Sequence, residues 1–378
     1  MSSNLIKPFQ ILGQNKIPTT PIKPPIPDHL RFRILPIFPG RVNLISFLTF
    51  TLLFASTLGH DIAMFFGYLP RFDFCGLLTF SGSSIITVLG GDIFINALLV
   101  IVFLFPLDYS QYEEAWRLVG FSLNDPFITD ELKRAKKETL IFAILFLITW
   151  LCYLPGCVYI AVIQPHEAGL IQMAFETSHQ VSYPLVGILV FIKVHTLFTS
   201  SSLIRASFIL IKKSIKAHPE VTWSLQSLRY YRQIYTATIE LTSTANNIWS
   251  AYLSFMYPAF NIMGLVSLYT MISGSYDFSR YFILGSSSLS LFWTSSFMNK
   301  YIIGINVEAA SVYDVVYQKS LLDLGEKYMM ETMLFLERIG RADVGYRLHG
   351  SFVFSPTLMA SMVTLGVTII IAFPSFAH

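Results

Sequence analysis

Seven stretches of this chain are apolar for long enough to cross a lipid bilayer, and no other property restricts its fold as much. A helix rising about 1.5 Å per residue needs about 20 predominantly apolar residues to traverse roughly 30 Å of hydrocarbon. Windows of that kind lie near residues 43–66, 82–107, 140–163, 182–212, 245–272, 281–305 and 355–376. The composition agrees: 53% of the 378 residues are hydrophobic and 13% charged, where a soluble domain carries about 25% charged residues. The expected fold class is an all-α membrane protein with seven transmembrane helices. The fourth window is too long for a single crossing, so its last turns, from Arg205 to Lys213, are expected to continue as helix into water.

Lys and Arg set the orientation, because they are retained on the cytoplasmic side. The first 42 residues hold six of them and eight prolines, and read as a Pro-rich cytoplasmic arm rather than a cleavable leader. With the residues after the second, fourth and sixth windows, this side collects 21 basic residues, against Arg71 and Arg280 on the other; Lys193, Arg205 and Lys300 fall within windows. The expected N-terminus is therefore cytoplasmic and the C-terminus extracellular. Seven spans with this polarity are inverted relative to a G-protein-coupled receptor. A net charge of +3 gives no reason to expect a nucleic-acid partner, and three cysteines are too few for a disulfide framework.

The outward connections are short, whereas those on the basic side run from about 30 to nearly 50 residues, too long for plain loops. The run from Val312 to Gly340 places Val312, Val315, Val316, Met329, Met330, Met333 and Leu334 at helical spacing among charges. A helical cytoplasmic anchor layer suited to subunit packing is expected; helices lying on the membrane surface are the alternative. The expected division is a cytoplasmic arm at 1–42, helices 1–6 with their cytoplasmic extensions at 43–305, a cytoplasmic helix at 306–349 and the last span at 350–378.

Ionisable residues inside apolar windows are costly unless paired or hydrated. Asp92 and Lys193 lie at matching depth in the second and fourth windows, which points to an ion pair or to a shared polar cavity that contacts a ligand. Tyr153, Phe191 and Trp293 fall near the same depth, where rings can hold a small organic molecule or simply pack between helices. His60, His166, His179 and His195 lack metal-ligand spacing. No phosphate-binding loop or nucleophile with its base is visible, so neither a cofactor nor an enzymatic activity is expected.

The segment GSFVFSPTLMASMVTLGVTIIIAFPSF, Gly350 to Phe376, resembles the C-terminal region of insect gustatory receptors and the related odorant receptors. Their last span carries Thr-Tyr, five hydrophobic residues and Gln-Phe. Here Thr368 and Phe376 match that frame, while Ile369 replaces Tyr and Ser375 replaces Gln; upstream, Gly350, Phe352 and Ser361 match the Gly-x-Phe and the small residue. The departures mark a divergent, gustatory-receptor-like member.

The resemblance implies a ligand-gated, poorly selective cation channel in the plasma membrane, passing monovalent and divalent cations and opened by a tastant or odorant. It further implies a homotetramer, or a heteromer with a co-receptor, whose last helices form the pore. On that helix Thr364, Thr368, Ile371 and Ser375 share one face, and hydroxyls there suit a wet path that Ile or Phe rings close by dewetting. Ser375 and Phe376 are the candidates for the outer constriction. Hydroxyls bonded to their own backbone are the alternative. A non-conducting receptor with a soluble partner, and a transporter or scaffold of the same fold, are the competing functions.

Overall fold

The computed structural model describes residues 51–52, 54–55, 58–59, 62, 72–73, 78–79, 126–158, 170–273, 278–322, 324–348 and 351–376. Most of the first two apolar windows, and Asp92 with them, lie outside the described residues. The described elements are overwhelmingly helical. They begin with a two-residue antiparallel pairing of β1 (Phe72–Asp73) with β2 (Leu78–Thr79). Four long helices follow, α1 (Pro126–Val158), α2 (Leu170–Ala217), α3 (Leu225–Ser273) and α4 (Phe278–Ser320). The chain then forms α5 (Glu326–Gly340), a hairpin of β3 (Arg347–Leu348) and β4 (Phe352–Val353), and α6 (Pro356–Phe376).

α1 opens on Pro126, whose missing N–H costs nothing at a first helical position. With 48, 49 and 43 residues, α2, α3 and α4 each reach about 65–75 Å at about 1.5 Å per residue. α2 is helical from Arg205 to Lys213, as its sequence led one to expect, and ends at Ala217. α4 is central and packs against α1, α2 and α3. Phe142 of α1 is fully buried where the three helices α1, α2 and α4 meet; its ring lies 5.6 Å from Phe191, 5.2 Å from Phe198 and 5.1 Å from Phe297.

Lower along the same helices, α5 docks through Tyr328, Thr332, Phe335 and Ile339, which recur at helical spacing and are buried. Tyr235 of α3 sits between Phe208 and Phe335, with centroids 5.4 and 5.5 Å away. Trp223 Nε1 donates to Tyr328 Oη at 2.8 Å, and that hydroxyl donates onward to Lys319 O at 2.6 Å. Glu331, also buried, is offset by Arg232 at 2.8 Å and Arg229 at 3.8 Å. The one helix expected over 306–349 is thus divided: α4 ends at Ser320, and Gly325, the residue just before α5, stands at φ +90°, a conformation that a side chain resists. Of the apolar residues noted at helical spacing, Val312, Val315 and Val316 are buried in α4. Met329, Met330, Met333 and Leu334 are exposed, because the aromatic face of α5 fits α3 and carries its polar groups with partners.

The strap between α5 and α6 is clamped by two asparagines. Asn306 Nδ2 donates to Ala342 O at 3.1 Å and Val344 O at 2.9 Å, while Arg347 N–H donates to Asn246 Oδ1 at 2.7 Å. Between them Tyr346 is fully buried and its hydroxyl lies 3.2 Å from Ser201 Oγ; burial pushes that phenol up to about 12. Asn306→Ala leaves two carbonyls short of a donor, at about 1–3 kcal/mol for each buried group. A thermal scan of the purified protein should therefore show a clearly lowered midpoint.

Among the described residues no helix is long and apolar enough to cross a membrane. In α6 the side chains of Ile369, Ile370 and 372–376 lie outside the described residues; read in full, its 21 residues contain no ionisable group.

Candidate functional site

Two places carry the residues singled out by the sequence: the last helix, and the aromatic seam between α1, α2 and α4. α6 starts where Ser355 caps it, the Leu358 N–H donating to Ser355 Oγ at 3.3 Å. Among the described residues it touches the rest of the subunit along a narrow edge. The Tyr257 hydroxyl of α3 meets the Met359 sulfur, and one to two turns further on Gly366 lies against Leu265. A β-carbon on Gly366 would come within 2.9 Å of Leu265 Cδ1, so the missing side chain is what lets the helices approach there.

Opposite that edge the described side chains of α6 are exposed. At 100° per residue, Thr364 and Thr368 lie about 160° around the helix from Gly366, and Ile371 about 140°. All three are exposed, Ile371 at 71%. The hydroxyls are oriented by their own helix: Thr364 Oγ1 donates to Ala360 O at 2.9 Å, Thr368 Oγ1 to Thr364 O at 2.8 Å and Ser361 Oγ to Thr357 O at 3.1 Å. The backbone bonding raised by the sequence as an alternative is therefore present. It does not neutralise the stripe, because a hydroxyl whose proton is committed still offers lone pairs to water or a cation. Ser375 and Phe376 end the helix, but their side chains lie outside the described residues.

Phe191 and Trp293, both named from the sequence, are joined by intervening rings: Phe191 stacks on Phe142, Phe142 touches Phe297, and Phe297 lies 5.3 Å from Trp293. Trp293 Nε1 is buried without a hydrogen-bond partner among the described residues, a donor available to an acceptor. Tyr153 and Lys193 fall within α1 and α2, but their side chains lie outside the described residues, as does Asp92, so neither the ion pair nor a third ring contact is visible.

A polar seam under the last helix was missed. Asn261 Nδ2 donates to Tyr257 O at 2.7 Å, and Ser295 Oγ donates to Asn261 Oδ1 at 2.8 Å, tying α3 to α4 beside Pro258. An Asn within an apolar window was the available signal, since such a group seeks a partner helix. Pro258 removes one rung of the α3 ladder within this seam.

Below the aromatic seam, Lys300 Nζ lies 2.7 Å from Glu138 Oε2 and Tyr301 Oη donates to the same oxygen at 2.9 Å. Burial alone would raise the Glu138 carboxyl, but the Lys300 and Tyr301 hydrogen bonds, with Arg134 nearby, hold it below its ordinary value of 4.5. A depressed carboxylate contributes stability that is fully present above the unfolded value and lost as pH falls through the folded one. The protein should therefore lose stability as pH drops below about 4.5, and Glu138→Gln should flatten that part of a melting-temperature profile.

No family model matches this chain, and no curated protein matches it. Its fold is similar to that of the insect olfactory receptor OR5 from Machilis hrabei, with a TM-score of 0.61 over 88% of this chain and 89% of that one at 13% identity. The same receptor in complex with eugenol is similar at a TM-score of 0.62, over 90% and 93% of the two chains at 12% identity. At such identities the likeness is one of fold.

Proposed function

We propose that this chain, which has the fold of an insect olfactory receptor, is a divergent member of the insect odorant and gustatory receptor superfamily: a plasma-membrane chemosensory receptor acting as a ligand-gated cation channel. The observation that carries this reading is the exposure of the hydroxyl stripe of α6 opposite the edge by which that helix meets α3 among the described residues. Around an axis of four subunits, Thr364, Thr368 and Ile371 face one another, giving alternating polar and closing rings. Ser375 and Phe376 would form the outer constriction. α6 contains 21 residues and so reaches about 30 Å, the thickness of the hydrocarbon, whereas α2, α3 and α4 are more than twice that and must project into water. Their projecting halves, with α5, make the cytoplasmic layer, and the exposed methionine face of α5 is where neighbouring subunits would pack.

A ligand would lodge in the aromatic seam, its acceptor taken by Trp293 Nε1 and its ring by Phe191, with Asp92, Tyr153 and Lys193 as further lining. The solved neighbour in complex with eugenol supports a small aromatic ligand of that kind. Binding opens the pore only insofar as the open state is bound more tightly than the closed one. Seam and pore are connected through α4, α3 and the Tyr257–Met359 contact. The reading predicts that cells expressing this chain alone, or with a co-receptor, give cation currents on applying small aromatic compounds. A surface-expressed tetramer silent to a broad panel in both formats would refute conduction and leave a receptor or scaffold.

A further inference from the structure

The outward face of α1 changes chemistry along a single stripe. From its beginning it exposes Lys133, Arg134, Lys136 and Lys137, and directly above them Leu140, Ile141, Ile144, Leu147 and Ile148. Steps of three and four residues keep Lys133, Lys137, Leu140 or Ile141, Ile144 and Leu147 or Ile148 on one side of the helix. The inward side is a different surface, with Ala135, Thr139 and Phe142 buried. No described element covers the stripe.

The cations are not equivalent. Lys133 is tied to Asp130 at 3.3 Å, and Arg134 lies 3.5 Å from Glu138. Glu138 also holds Lys300 of α4, which remains 47% exposed and so presents a further ammonium from a second helix beside the stripe. Lys136 and Lys137 make no ion pair among the described residues. Two ammonium groups without an ion pair among the described residues, with two paired ammonium groups and one paired guanidinium around them, thus sit immediately below an exposed apolar face.

We infer that this stripe is a binding site for an anionic phospholipid of the cytoplasmic leaflet, with Lys136, Lys137 and Lys300 on the headgroup phosphates and Leu140, Ile144 and Leu147 along an acyl chain. The commitment to a lipid follows from charge complementarity continuous with apolar surface: a soluble phosphate uses only the lower half of the stripe, and a peptide has no reason to end in an apolar tail of that length. Basic groups just cytoplasmic of a membrane helix are attracted to anionic headgroups. The inference rests on the membrane orientation proposed above.

The test uses the full chain purified in detergent, with retained lipid counted by native mass spectrometry after exposure to phosphatidylinositol 4,5-bisphosphate or to phosphatidylcholine. The bisphosphate lipid should be retained selectively. Lys136→Gln with Lys137→Gln should weaken retention roughly thirty-fold, at about 1 kcal/mol for each charge and 1.4 kcal/mol for each factor of ten. Lys136→Arg with Lys137→Arg should restore it, and Lys212→Gln with Lys216→Gln, the same charge loss on α2, should leave it largely unchanged. Equal retention of both lipids, or unaltered retention in the Gln pair, overturns the site. Sidedness is read separately from Lys136→Cys in intact cells. Labelling by an impermeant maleimide above the level of the parent chain would overturn the orientation, and the lipid site with it. Protection from the reagent, combined with unselective lipid retention, would overturn the lipid site alone.

Discussion

Thr368→Arg is expected to abolish ligand-evoked cation current while leaving the protein at the cell surface. In the proposed tetramer the substitution places four guanidinium groups around the axis. Each repels a cation 4 Å away by about 1 kcal/mol even at the dielectric constant of bulk water. Four together approach 4 kcal/mol, nearly a thousandfold in permeation at about 1.4 kcal/mol per factor of ten. Thr368→Gln, polar but neutral, should conduct. The alternative position for this face is against lipid, where an arginine costs roughly 2.5–3.5 kcal/mol on insertion. That arrangement predicts the reverse pattern, with reduced surface protein and normal current from whatever arrives there. Surface labelling and whole-cell recording on the same cells separate the two.

Phe335→Ala should be the most damaging single truncation in the cytoplasmic layer. The ring is fully buried and set edge-on against Tyr235, and removing such a ring from a packed core costs about 3–5 kcal/mol. A loss of that size is a large share of the 5–15 kcal/mol that holds a typical domain together. α5 should come away from α3, the Trp223–Tyr328–Lys319 relay should open, and the thermal midpoint of the purified protein should fall steeply. Met333→Ala, two residues away on the exposed face, makes the contrast. It should alter the stability of one subunit by no more than about 0.5 kcal/mol, but weaken subunit association if that face packs against a neighbour, as a shift of the oligomer to smaller species on size exclusion would show.

The long helices were legible because apolar windows and charge asymmetry are properties of whole segments. The third to seventh windows fall on α1, α2, α3, α4 and α6, and the helical run of α2 from Arg205 to Lys213 followed from length alone. Finer features depended on particular partners. The break between α4 and α5 turns on Gly325, and the hairpin before α6 is held by Asn246 and Asn306, residues distant in sequence whose hydrogen bonds no periodicity announces. Spacing gathered the methionines of α5 without saying which way they face; shape and pairing turn Tyr328, Glu331 and Phe335 inward. At the site, helical spacing was enough to put Thr364, Thr368 and Ile371 on one face. That this face turns away from the subunit depends on Gly366 meeting Leu265, which spacing cannot reveal. Phe191 and Trp293 were identifiable as rings at similar depth, but the linking rings, Phe142 and Phe297, come from α1 and α4 and emerge only when those helices are packed.

The most direct test of the central claim, that the last helix lines the conduction path, is cysteine accessibility along it during ligand-evoked current. Applied one at a time, Ser361→Cys, Thr364→Cys, Thr368→Cys and Ile371→Cys should each render the current sensitive to a charged thiol reagent, while Met359→Cys, Met362→Cys and Gly366→Cys, on the packed edge, should not. A current that stays insensitive at Thr364, Thr368 and Ile371, or that is blocked only from the Met359–Gly366 edge, would contradict the account.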